Sequence, residues 1–163
     1  MSQYLTMEVE QEGPAKIIPG DLESGDLFFA NNIPYSHDVV CAAAEKLNVK
    51  SIFDFVVSEE LQSEAEVTAF GKTLDDLEDE DDDFELTEEI EDKINLVYYR
   101  IGPWYTVDEG IETGRILLKY FLENPELTES QPGSGVIGDL EEFLTALEEV
   151  KKRGKRFRLD YSY

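Results

Sequence analysis

The sequence predicts an α+β protein: a small, mainly antiparallel sheet with about three helices packed on one face. Three observations carry that expectation. Both ends read as strands, residues 4–10 alternating in part and residues 156–161 placing Phe157, Leu159 and Tyr161 on one side. Residues 94–101 combine aromatic and β-branched side chains that suit a pleated, half-buried surface, and read as a long central strand. Between these lie stretches whose apolar residues recur at helical spacing. The length of 163 residues fits a single globular domain with a genuine core.

The first helix is expected over about residues 37–47, with Ser36 as N-cap, an inner stripe of Val40, Ala43, Ala44 and Leu47, and Asn48 as the stop. Before it, residues 26–30 form a short apolar run read as extended. After it, residues 52–57 are plainly buried, but their pattern does not separate a strand from a helical turn. Gly102-Pro103 breaks the chain ahead of a second helix, capped by Thr106 or Asp108 and reaching about Glu123. Ile111, Gly114, Leu117, Leu118, Phe121 and Leu122 fall on its inner face, where Gly114 costs about 1 kcal/mol against Ala unless close packing compensates. The third helix carries Ile137, Leu140, Phe143, Leu144, Leu147 and Val150 at helical spacing. Its acids come early, its bases late, and Gly154 supplies a left-handed stop.

Charge is unevenly distributed. The chain has 14 Lys+Arg and 38 Asp+Glu, a formal net charge of −24. Residues 59–92 hold 17 of the acids and a single base, Lys72. Ionised carboxylates at this density find no partners away from water, so residues 72–86 are expected to form a solvated acidic loop. The opposite pole is the C-terminus, where six bases fall between Lys151 and Arg158. Such an excess of acid repels nucleic acid and anionic lipid, and draws a basic protein through its long-range field. No apolar run approaches the ~18 residues of a membrane span. The first residues resemble no secretory signal, so the expected location is the cytoplasm. One cysteine (Cys41) and one histidine (His37) leave no disulfide framework and no His-rich metal site, and no cofactor is implied.

Ser36-His37-Asp38 contains the three residue types of a hydrolytic triad. Neighbours at a helix start point in different directions, however, and capping and dipole physics account for Ser36 and Asp38. Cys41, one turn after His37, is within reach of it, but beside Val40 and Ala44 it reads as a small core residue. The acidic run fails as a calcium loop: from Asp75, position 6 is Glu80 rather than Gly, and position 12 is Leu86. Gly133-Ser134-Gly135 lacks the Lys and Ser/Thr of a phosphate loop. The unassigned feature is the cluster Tyr98, Tyr99, Trp104 and Tyr105 with Arg100, a lid over the core or an anchor for a partner.

Trp104-Tyr105, then Asp108-Glu109-Gly110, a long helix ending at Asn124-Pro125, a second amphipathic helix, Gly154 and an aromatic closing strand form one ordered pattern. Together with residues 42–49 as an earlier helix, it resembles small uncharacterised bacterial α+β proteins with a helix–helix–strand tail. The resemblance implies a bacterial accessory protein and brings no activity or catalytic residue with it. The expected function is therefore a noncatalytic, acidic binding protein, of inhibitor or immunity type, that docks a basic partner. Asp79, Glu80, Asp81, Asp82, Asp83, Trp104 and Tyr105 are its candidate partner-binding residues. The alternatives are a small carboxylate-dependent hydrolase or transferase, and an accessory domain with no charged partner.

Overall fold

The structure is a computed structural model that describes residues 3–10, 28–129 and 135–162. The class is α+β, with an antiparallel three-stranded sheet. The described residues hold eight helices rather than about three. Their contacts group the chain into two compact units, one built from residues 3–10, 28–56 and 104–162, the other from residues 57–103.

The first unit carries the sheet, in the order β2 (Phe29–Ala30), β1 (Tyr4–Val9), β3 (Phe157–Ser162). Alternation fixes the register. Leu5, Met7 and Val9 face the core on β1, as Phe157 and Leu159 do on β3, and Met7 pairs with Leu159 while Glu8 pairs with Arg158. Helix α1 (Asn32–Tyr35) is one turn long, and its first N–H groups are held by the buried Asp139 carboxylate, Asn32 N to Oδ2 at 2.8 Å and Ile33 N at 3.1 Å. Helix α2 (His37–Leu47) has the expected span, and Asn48 ends it with φ 55°. The cap differs: Ser36, buried where α1 gives way to α2, makes no side-chain cap bond to α2. Residues 52–55 resolve as a 3₁₀ turn, closed by reciprocal bonds between Ser51 and Asp54.

The second unit holds α3 (Leu61–Phe70), α4 (Leu74–Glu80) and α5 (Glu88–Arg100), with α3 packed on α5. Helix α5 corrects the expected central strand. Thr87 accepts a hydrogen bond from Ile90 N, Glu88, Glu89 and Glu91 occupy the positive end of the helix, and Arg100 lies in its last turn. These end signals outweigh the modest β preference of residues 94–101. Tyr98 and Tyr99 consequently meet edge to face at 5.3 Å instead of pointing to opposite sides of a sheet. The acidic loop is corrected in part as well, since residues 74–80 are helical.

In the first unit the chain continues through α6 (Val107–Glu123), α7 (Glu126–Glu129) and α8 (Val136–Lys152). Thr106 and Glu109 form a capping box at the head of α6. Helices α6 and α8 pack together and, with the sheet, enclose Leu117, Phe121, Leu140, Phe143, Leu147 and Phe157, none of them exposed. Gly114 allows the close approach: a Cβ there would stand 2.8 Å from Leu144 Cδ2. Leu122, expected on the inner face, is 56% exposed. Gly154 follows α8 with φ 66° and leads into β3. The glycine-rich residues 133–134 lie outside the described residues.

Candidate functional site

The acidic segment is assembled from α3 outward. Glu66, buried on α3, accepts a hydrogen bond from Leu74 N at 2.7 Å through one carboxylate oxygen and one from Gln62 Nε2 at 3.1 Å through the other. This seats the start of α4, and Thr73 accepts from Asp76 N at 3.3 Å. Asp75 and Asp76 then suit the positive helix end. The candidate residues follow at the other end. Asp79 and Glu80 close α4, Asp81 is its C-cap, and Asp82 and Asp83 continue into a turn in which Asp83 N donates to Asp81 Oδ1 at 3.0 Å. All five are exposed. Among the described residues, Lys72 forms an ion pair with Glu80 in this stretch.

The local electrostatics work against the helix. Glu78 to Asp81 gather at its negative end, and Asp75 with Asp79 and Asp76 with Glu80 are like-charge pairs four residues apart. Each such pair costs a few tenths of a kcal/mol, roughly 0.2–0.5. Helix α4 buries none of its residues in return.

Trp104 and Tyr105 belong to the first unit and have separate tasks there. The Tyr105 backbone bridges to Phe157 in both directions, at 2.9 and 3.0 Å. Its ring meets Phe55 edge-on at 5.1 Å, and Lys50 Nζ lies 5.2 Å from its centroid. Trp104 covers Arg158, whose guanidinium carbon lies 4.1 Å from the ring centroid. Arg158 is 0% exposed and its Nη2 lies 3.5 Å from Glu8 Oε2, so the two residues paired across β1 and β3 form a buried ion pair. Both rings are half-buried. Tyr98, Tyr99 and Arg100 lie in the second unit.

The buried Glu8–Arg158 pair is not among the candidates that the sequence offers. The available signal was parity: Glu8 and Glu10 on one strand, Arg156 and Arg158 on the other, all out of phase with the core residues. Arg156 pairs with Glu10 at the end of the ladder. Its hydrogen bond holds the Glu10 carboxyl below the usual range, partly opposed by burial. Next along β3, burial pushes the Asp160 carboxyl up, against hydrogen bonding from Ser162 and the charge of Arg158.

Ser36, His37 and Asp38 do not converge as a triad, because Ser36 is buried while His37 and Asp38 are exposed. Cys41 differs from its expected core setting. It is half-exposed, with His37 Nε2 3.7 Å and Ser51 Oγ 3.5 Å from its sulfur. A shallow groove along α6 is lined by Asp108, Ile111, Glu112, Arg115, Ile116 and Lys151, with Lys151 and Asp108 paired at 3.3 Å. Among the described residues, no group of three or more His, Cys, Asp or Glu is placed to hold a metal ion. Nor, among them, is any helix long and apolar enough to cross a membrane. No family model matches the chain, and no curated protein or solved structure matches it.

Proposed function

We propose that the protein is a noncatalytic acidic binding protein, of inhibitor or immunity type, that docks a basic partner protein through Asp79, Glu80, Asp81, Asp82 and Asp83. One observation carries the reading: the carboxylates at the end of α4 are exposed, oppose the helix dipole and repel one another. Solubility needs net charge but not its concentration in a helix that the charge weakens. A concentrated negative field is useful when a cationic surface must be found by diffusion. Trp104 and Tyr105, in the first unit, expose parts of their rings and form a separate candidate contact surface of their own.

The test is a titration against a panel of purified basic proteins and size-matched acidic ones, at ionic strengths of about 0.01 M and about 0.15 M. The reading expects saturable one-to-one binding to a basic member, with an association rate that falls steeply with salt. Absence of binding to every basic protein, or indifference to the partner's charge, would overturn it.

A further inference from the structure

The second unit leaves much of its apolar surface uncovered. Helix α3 packs on α5, and Leu61, Ala65 and Ile94 are buried. Phe70, Leu74, Leu77, Ile90, Leu96 and Val97 stay half-buried, and Val67 and Leu86 are 45% and 46% exposed. Leu74 and Leu77, three residues apart, share one face of α4, and Ile90 and Val97 flank Ile94 on one face of α5. A helical unit whose apolar stripes are only half covered has room for one more helix to complete its layer. The same unit is strongly acidic: residues 57–103 carry 17 Asp+Glu against Lys72, Lys93 and Arg100. Lys93 shows how a base can sit there, its Nζ lying 4.7 Å from the centroid of the Phe70 ring.

We propose that the second unit receives a basic amphipathic helix of the partner protein, with its apolar stripe against α3 and α5 and its Lys and Arg side chains set against the surrounding carboxylates. The inference rests on the proposed docking of a basic partner and gives that partner's docking element a conformation and a pattern. Uncovered apolar side chains select an occupant with an apolar stripe, and the charge selects one that is positive beside it. Helix α5 has 13 residues and is about 20 Å long, which matches an occupant of about four turns. A second copy of this chain is disfavoured, because it brings a field of the same sign.

The probe is a labelled synthetic peptide of about 18 residues, Leu and Lys only, with Leu at i, i+3, i+4 and i+7. Its control has the same composition in an order that makes no apolar face. Anisotropy titrations with the whole protein at about 0.15 M salt give the affinities, and circular dichroism follows the peptide's helicity. The amphipathic peptide should bind one-to-one at least about tenfold more tightly than the control and gain helical signal. Val67→Ser/Leu86→Ser keeps every charge and alters two side chains already about half exposed, and should weaken that binding at least about fivefold. Equal affinity for the two peptides, or unchanged affinity in the double variant, would overturn the inference; salt-dependent binding of folded basic proteins would then leave the proposed function standing without it. Binding of neither peptide nor any basic protein would overturn both. Self-association of the chain that the double variant abolishes in sedimentation would assign the face to a second copy and overturn the inference as well.

Discussion

Gly110 tests the packing of the first unit most sharply. It lies inside α6, and a Cβ built there would stand 2.6 Å from Phe157 Cζ, 2.8 Å from Phe157 Cε1 and 2.8 Å from Leu147 Cδ1. Neither neighbour yields easily. Phe157 and Leu147 are wholly buried, and the Phe157 ring is bounded by Phe55 at 5.2 Å and Phe143 at 6.0 Å. Gly110→Ala therefore combines about 1 kcal/mol of improved helix propensity with an overpacking cost of about 1–3 kcal/mol. Gly138, in α8, is the internal control, because a Cβ there meets nothing within 4 Å. The propensity gain largely cancels between the two substitutions, so Gly110→Ala should be less stable than Gly138→Ala by about 1–3 kcal/mol. Urea unfolding followed by circular dichroism measures this, and in a chain of this length each kcal/mol moves Tm by about 2–4 °C. Equal stability of the two variants, or a more stable Gly110→Ala, would refute the close contact between α6 and β3.

Three further outcomes are expected. Glu8→Gln removes the carboxylate that offsets the wholly buried Arg158, and should cost about 3 kcal/mol in urea unfolding; a loss below about 0.5 kcal/mol would contradict the buried pair. Asp160 has its folded carboxyl raised by burial, so its ionisation penalises the folded state increasingly as pH rises through the ordinary Asp range. Asp160→Asn should therefore melt higher than wild type near pH ~7, with the gap closing near pH ~3, and a lower melting point at the higher pH would reverse the sign. Replacing residues 75–83 by a Gly/Ser linker should remove only the helical signal of α4, since no residue of α4 is buried; cooperative loss of all structure would show the segment to be embedded in the fold.

The elements legible in the sequence are those whose ends carry local chemistry. Helix α6 begins at the Thr106–Glu109 box, α2 ends at Asn48, and α8 ends before Gly154, each encoded within a few residues. Helix α5 is hidden in the sequence because Glu88 to Asp92 read as part of the acidic run, although they form the first turns of the helix, which ends at Arg100. Helices α1 and α7 span one turn each, too short for any periodicity to show. Exposure of the acidic candidates was legible because burying unpaired carboxylates is costly. The settings of Trp104, Arg158 and Cys41 were not, because each depends on residues distant along the chain: the Glu8–Arg158 register and the return of Ser51 against α2.

The proposed role of the carboxylates ending α4 is to serve a partner and not the fold. The decisive measurement compares wild type with a variant in which Asp79, Asp81, Asp82 and Asp83 become Asn and Glu80 becomes Gln. Association rates with the basic protein that binds best are measured across ionic strength, and Tm is measured alongside. The variant should associate at least about tenfold more slowly at low salt, lose most of its salt dependence, and melt no lower than wild type. Unchanged association kinetics, or a variant that loses its fold, would contradict it.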